Sequence, residues 1–394
     1  MKKSVFIVLL LTVSVFCLRG LSQTQPDYPK KFHIENNMVV DDAKKPFVFK
    51  GISTRDPVAM YAGNASFQNE CVPFEEKLFK NIKSWGANIV RLPVLPFTWK
   101  LQGKNNTLKA LDMAVEWAAK NNMYVMICYQ ASGWPSTDNP SDKSTRTTSE
   151  ELYGFWNEVS KHFKGNRTVV MYEIFSEPVT KEFMKITERN WVEWTDVMSQ
   201  LIESIQRTDP EAICLVSGLS WAHDISFVAG YPINRKNVGY AVHPYPFESQ
   251  LSTMKNLRVV SSVAKKYFVF VTEVGYDFEL LVNMNDVQKK ILELYPEIKP
   301  QMDEVRRLSG NKLYYSDLNK KLFDSLLANE RCAAYLKEVV ENYQKELKKT
   351  FDTGNISWIA WCMSCSWRPC LIKDMEYNPT DSGEFFRNWL QGKK

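Results

Sequence analysis

The sequence predicts an α/β protein folded as a single (β/α)8 TIM barrel, and three observations carry that expectation. From residue 32 onward, eight short apolar runs alternate with amphipathic stretches, the pattern of βα units around a parallel sheet. Several runs are continuous in β-branched and aromatic residues, as strands covered on both faces are. No G-x-G-x-x-G or P-loop spacing is present, which disfavours the alternative, an open doubly wound sheet.

A hairpin over residues 32–40 opens the domain and is expected to cover the bottom of the barrel. Strands are expected at residues 47–52, 87–92, 124–129, 168–175, 212–216, 238–242, 267–272 and 356–362. Helices are expected between them at 73–85, 107–121, 149–164, 190–207 and about 250–266. Thr148-Ser149-Glu150-Glu151 precedes Leu152, so a hydroxyl can cap the helix start and the acids favour its positive end. Gly86 and Gly165 close two helices, since glycine tolerates the left-handed conformation there. Residues 277–352 are long for one barrel unit but keep a helical period, with a long pair of helices within 286–350. They read as an enlarged helical layer between strands seven and eight, not as a second domain.

With 394 residues, 44% hydrophobic and 24% charged, the chain has ample material for a core. Its net charge of +5 is spread along the sequence, a weak field that argues against nucleic acid as the main partner. The basic stretch at 345–350 reads as a solvated helix face. Lys2 and Lys3 precede an apolar stretch over residues 5–17, followed by Gly20-Leu21-Ser22; residues 1–22 therefore read as a signal peptide and 23–394 as the secreted domain. The stretch is too short to span a bilayer, and a lipid anchor at Cys17 is the alternative, with bulky Phe16 against it.

Removal of Cys17 leaves seven cysteines, an odd number, so the fold is not a disulfide-stapled scaffold. Cys128 and Cys214 lie in apolar runs and read as buried hydrophobes. Cys362, Cys365 and Cys370 cluster, and Cys365 with Cys370 could close a small loop. A zinc site there has only a C-x2-C pair and no nearby histidine behind it. The four histidines, His33, His162, His223 and His243, form no H-E-x-x-H, so neither a metal nor a cofactor is expected. Sequons begin at Asn64, Asn105, Asn166 and Asn355.

Two of the apolar runs lead into a glutamate. Residues 168–178 read TVVMYEIFSEP and residues 267–276 read YFVFVTEVGY, placing Glu177 and Glu273 at the exits of strands four and seven. In a closed barrel the carboxyl ends of the strands converge on one mouth. That mouth is expected to gather Arg91, Gln130, Ser176, Glu177, His243, Tyr245, Glu273 and Trp361. A facing pair of carboxylates is the equipment of glycoside hydrolysis, one as proton donor and one as nucleophile or base.

The segments FVFKGIS, NIVRLPV, MYEIFSEP, AVHPYP, FVFVTEVGY and ISWIAWCMS occur in that order between about residues 32 and 391. Together they resemble glycoside hydrolase family 5, the cellulase family, in the clan whose acid and nucleophile follow barrel strands four and seven. The resemblance implies Glu177 as acid/base and Glu273 as nucleophile, with Arg91 keeping Glu273 charged. It implies that His243 and Tyr245 are the H-x-Y pair after strand six, and that Trp361 is the platform under the reacting sugar, where indole stacks on sugar C–H groups. Trp134, Trp221 and Trp99 lie in or near other strand-end loops and could extend a cleft. Three departures stand out: Ser176 replaces the family Asn before the acid, Tyr129-Gln130 replaces a histidine after strand three, and Cys128 replaces an acid two residues before Gln130.

The expected function is a secreted, monomeric, retaining endo-β-glycanase acting on a β-1,4-linked polysaccharide, a glucan or a mannan. Losing the family Asn, and with it a bond to the sugar 2-hydroxyl, could cost about 2–4 kcal/mol in the transition state. One alternative is therefore a carbohydrate-binding barrel with impaired catalysis. The other is a serine hydrolase built on Gly218-Leu219-Ser220-Trp221-Ala222, which approaches a nucleophile elbow but lacks its second glycine.

Overall fold

A computed structural model describes residues 28–63, 72–136, 141–180, 186–308 and 317–393. The expected signal peptide and the sequon at Asn64 lie outside the described residues. Eight parallel strands close into a barrel in sequence order: β1 Lys50–Ser53, β2 Ile89–Val94, β3 Tyr124–Tyr129, β4 Val169–Glu173, β5 Cys214–Ser217, β6 Val238–Val242, β7 Val269–Val274 and β8 Ser357–Ala360. The eight expected strands are all present.

Alternation along each strand sorts the side chains. Ile89, Met126, Met171, Leu215, Ala241, Phe270 and Ile359 fill the barrel interior as one cluster. Their neighbours, such as Val90, Val125, Tyr172, Val216, Tyr240, Val269 and Trp358, point outward into the larger core beneath the helices. Two residues beyond each of six interior apolar positions, and so on the same inward face, stand Arg91, Cys128, Glu173, His243, Thr272 and Trp361. A period of two thus builds a polar storey directly on an apolar floor.

Below that floor the hairpin Phe32–Glu35 and Met38–Asp41 closes the barrel. Phe32 packs against Phe49 and Tyr124 with ring centroids about 5.1 and 5.1 Å apart, so the bottom is plugged by aromatic rings rather than by solvent. In the outer layer, Trp156 Nε1 donates to the Ile174 carbonyl at 2.8 Å and Trp194 Nε1 to the Ser217 carbonyl at 2.9 Å. Buried indoles in this way tie the helices to the strand exits.

Local signals behave as read. Thr148 and Glu151 form a complete capping box at the helix Ser149–Phe163, and Gly86 and Gly165 have φ of 101° and 75°. Three differences from the expected elements are the largest. The helix expected from residue 107 belongs to Pro96–Lys120, kinked at Gly103 with φ 68°. A helix Asp381–Leu390, absent from the sequence reading, follows β8 and stacks Trp389 on Trp358 at 4.4 Å. The segment between β7 and β8 holds not a pair but five helices among the described residues: Phe278–Val282, Asn285–Leu294, Lys299–Leu308, Asp317–Ala328 and Glu330–Thr353. The last of these reaches the barrel mouth, where the Tyr343 hydroxyl donates to the Pro244 carbonyl at 2.8 Å and fixes the turn after β6. Cys365 is disulfide-bonded while Cys370 is a thiol, so the Cys365–Cys370 loop is not formed.

Candidate active site

Glu273 is the fifth residue of β7, inside the strand rather than beyond it. Strict alternation would send either Thr272 or Glu273 outward. The pairing of β7 with β8 slips between Val271 and Val274, and both valines lie in the outer core, so Thr272 and Glu273 both face the mouth. Such irregularities re-aim side chains at the rims of barrels. Gly275 follows, and a Cβ there would come within 2.7 Å of Pro369 and 3.2 Å of the Trp361 carbonyl; only glycine lets the loops after β7 and β8 approach so closely.

Four neighbours hold the Glu273 carboxylate. Arg91 Nη1 lies 2.9 Å from Oε1, off the N–H direction, so that contact is an ion pair without a hydrogen bond. Gln130 Nε2 donates to the same oxygen at 3.2 Å and the Tyr245 hydroxyl to Oε2 at 2.9 Å. His243 Nδ1 stands 3.7 Å from Oε2. Glu177, with a side chain 27% exposed against 4% for Glu273, sits on a two-residue strand Glu177–Pro178 paired with Ser132–Gly133. His243 Nδ1 donates to its Oε1 at 3.2 Å.

Beneath this pair lies a residue absent from the sequence reading. Glu173, at the end of β4 and fully buried, accepts from Arg91 Nε at 2.6 Å, from the Thr272 hydroxyl at 2.7 Å and from His243 Nε2 at 3.4 Å. Thr272 Oγ1 in turn lies 3.0 Å from His243 Nε2. A lone acid inside the apolar run VVMYEIF was the available signal, because a buried carboxylate requires a partner.

Burial pushes the Glu173 carboxyl up, but the Arg91 charge and the His243 bonds and charge outweigh it and hold it at about 2. For His243 burial favours the neutral ring, yet the charge of Glu273 and the bonds to Glu173 and Glu177 lift it to about 10. The buried cluster therefore contains two cations, Arg91 and His243, and the anions they face. Glu177, His243 and Glu273 each bring a potential ligand atom within 4.8 Å of the others. Within that trio both His243 nitrogens face carboxylate oxygens, Nδ1 towards Glu177 and Nε2 towards the buried Glu173.

The departures from the family pattern have structural consequences. Arg91 Nη2 donates toward Gln130 Oε1 at 2.9 Å, Cys128 Sγ at 3.0 Å and Ser176 Oγ at 3.2 Å. Gln130 thus bridges the arginine to Glu273, and the wholly buried Ser176 spends its hydroxyl on the arginine. Trp361 presents its ring 5.8 Å from the Arg91 guanidinium and stacks on Trp367 at 5.7 Å, with Arg55 4.5 Å over the far ring. Trp134, half-buried, packs on Trp194 at 5.2 Å, directly after the Ser132–Gly133 strand that pairs with Glu177. Trp221 lies in the loop after β5, while Trp99 packs on Phe155 at 5.3 Å on the outer helical layer. Ser220 has a left-handed φ of 56°, as an elbow would. Among the described residues neither His223 nor His243 hydrogen-bonds its hydroxyl, and both His243 nitrogens face carboxylates, so the serine triad is not assembled.

The sequence model of the family described as cellulase (glycosyl hydrolase family 5) matches residues 40–366. The chain belongs to that family. Endoglucanase Z of Dickeya dadantii (strain 3937) is 27% identical over 199 residues, 49% of this chain and 41% of that protein. An endoglucanase of Clostridium saccharobutylicum is 22% identical over 281 residues, 70% of this family 5 chain and 57% of the relative. The chain thus spans about half the length of these two relatives. Among solved structures, the β-glucanase SdGluc5_26A from Saccharophagus degradans in complex with cellotetraose superposes with a TM-score of 0.70 at 23% identity, covering 92% of this chain and 93% of that one. That likeness establishes the shared barrel. Among the described residues no helix is long and apolar enough to cross a membrane.

Proposed function

We propose that this family 5 chain is a secreted, retaining endo-β-glycanase that hydrolyses a β-1,4-linked polysaccharide, a glucan or a related mannan, by double displacement. The observation that carries the reading is the approach of Glu177 and Glu273 to within 4.8 Å at the barrel mouth, close to the ~5–5.5 Å separation of carboxyl groups in retaining enzymes. Membership in the cellulase family and the endoglucanase names of the relatives support a β-glucan as substrate.

Glu273 Oε attacks the anomeric carbon while the proton on Glu177 passes to the glycosidic oxygen, which leaves as an alcohol. Glu177, now a carboxylate, takes a proton from water, and that water displaces Glu273 and regenerates the free acid. Arg91, Gln130 and Tyr245 fix the orientation of the nucleophile, so little reorganisation precedes attack. His243, protonated and bonded to Glu177, holds the acid/base in place as its charge changes. Trp361 supplies the wall for the reacting sugar.

Ser176 favours a second reading, a carbohydrate-binding barrel with weakened catalysis, because its hydroxyl is turned to Arg91 and leaves no side chain there for a sugar 2-hydroxyl. One assay separates the two. The chain is incubated with cellotetraose, carboxymethyl cellulose and mannan, and reducing ends and product anomers are followed. Release of β-anomers by the native chain, abolished in Glu273→Ala, is the expected result; binding without release by the native chain supports the second reading, and α-anomers contradict retention.

A further inference from the structure

His243 and Tyr245 hold the two carboxylates at the mouth, His243 through Glu177 and Tyr245 through Glu273. One residue, Pro244, separates them. The Tyr245 amide donates to the His243 carbonyl at 2.9 Å, which closes a three-residue γ-turn with the proline at its centre.

A proline ring locks its own φ. That leaves ψ as the soft dihedral at the centre of the turn, and ψ is also the angle that swings the proline carbonyl. Whatever grips that carbonyl therefore sets the aim of Tyr245. The grip comes from Tyr343, whose hydroxyl donates to the Pro244 carbonyl at 2.8 Å; both residues are buried. Among the described residues no second donor reaches this carbonyl. Burial also pushes the Tyr343 phenol well above its ordinary range, so the hydroxyl keeps the proton it donates.

His243 is fixed without this contact. It follows β6 directly, its amide donates to the Ala222 carbonyl at 2.9 Å, and its ring faces Glu173, Thr272 and Glu177. Tyr245 has its amide engaged within the turn and its hydroxyl on Glu273, so its placement passes through Pro244.

Tyr343 is itself well anchored. It belongs to the helix Glu330–Thr353, its ring meets the edge of Tyr276 with centroids 5.8 Å apart, and the next residue, Gln344, donates to the Tyr276 hydroxyl. Tyr276 stands three residues beyond Glu273. Adjacent residues of one helix thus clasp the loop after β6, which carries Tyr245, and the loop after β7, which follows Glu273.

We propose that Tyr343 is a positioning residue for Glu273: it fixes ψ of Pro244 and thereby holds the Tyr245 hydroxyl on the carboxylate. The inference rests on reading Glu273 as the nucleophile, and it gives the helical layer between β7 and β8 a part in the reaction. Without the Tyr343 hydroxyl the turn can open towards the extended proline conformation, near ψ of about 145°, and the phenol of Tyr245 leaves the oxygen it orients.

The test is a double-mutant cycle on cellotetraose hydrolysis with Tyr343→Phe, Tyr245→Phe and the pair. Tyr343→Phe should lower kcat about tenfold with KM within about twofold of the native chain, the signature of lost transition-state stabilisation. In the Tyr245→Phe background the same change should lower kcat less than about twofold, because the hydroxyl it positions is already gone. Pro244→Ala frees φ at the same turn and should reproduce both results as an independent probe; thermal melting confirms that each variant is folded at the assay temperature. Losses that multiply across the cycle, a rise in KM at constant kcat, or an unchanged kcat in folded Tyr343→Phe overturn the assignment and leave the catalytic pair as read. A native chain that cleaves no cellotetraose overturns the reading of Glu273 instead, and the assignment with it.

Discussion

Glu173 accepts from Arg91 Nε at 2.6 Å, with both side chains wholly out of contact with water. The arginine expected to serve one carboxylate therefore serves two, since Glu273 sits 2.9 Å from Nη1. Removing one partner of a buried pair leaves the other charge poorly compensated, at a cost of about 3–5 kcal/mol. Glu173→Gln, nearly isosteric, should destabilise the chain by about 3 kcal/mol in urea unfolding and lower the His243 titration seen by ring-proton NMR. An unchanged unfolding midpoint would remove Glu173 from its structural role.

The same cluster sets the pH range of stability. Glu173 is held at about 2 against an ordinary 4.5, so its contribution is complete above 4.5 and fades as pH falls towards 2. His243 is raised to about 10 from 6.5; its contribution is complete below 6.5 and is lost as pH rises through 10. Unfolding free energy measured across pH should plateau between these limits and decline on both sides, and His243→Asn should flatten the alkaline limb. An alkaline limb of the same slope in that variant would assign the decline to other groups.

The Tyr245 hydroxyl donates to Glu273, the proposed nucleophile, at 2.9 Å. A hydrogen bond to a charged group contributes about 1.5–3 kcal/mol, so Tyr245→Phe should lower kcat about 10- to 100-fold with KM nearly unchanged. A rise in KM at constant kcat would show that the phenol meets the sugar rather than Glu273.

Ser176 is wholly buried and turned to Arg91. Ser176→Ala should accordingly cost about 1 kcal/mol of stability and change kcat/KM less than about threefold. A loss of a hundredfold would place the hydroxyl on the substrate.

Much of this site was legible because strand exits in a closed barrel must meet. Glu177, His243 and Tyr245 each follow a recognisable apolar run, and topology alone brings them together. Glu173 was hidden inside such a run, and its partners come from β2, β6 and β7, separations no local pattern reports. Thr272 was hidden for a different reason: alternation predicts that a residue beside Glu273 points the other way, and only the slipped pairing reverses that. The helix starting at Pro96 was missed because Gly103 interrupts its periodicity. The segment after β7 was read as fewer helices than it holds because its amphipathic period continues through Pro296 and Pro300, near which the chain turns.

The slipped pairing between Val271 and Val274 also ranks the staves of this barrel by how freely each could be exchanged. A regular seventh strand grafted in its place could present the Glu273 carboxylate or the hydroxyl that links Glu173 to His243, but not both. Evolution or design can rework the loops around this mouth at modest cost, whereas replacing that one stave forces a choice between the carboxylate at the mouth and the wiring beneath it.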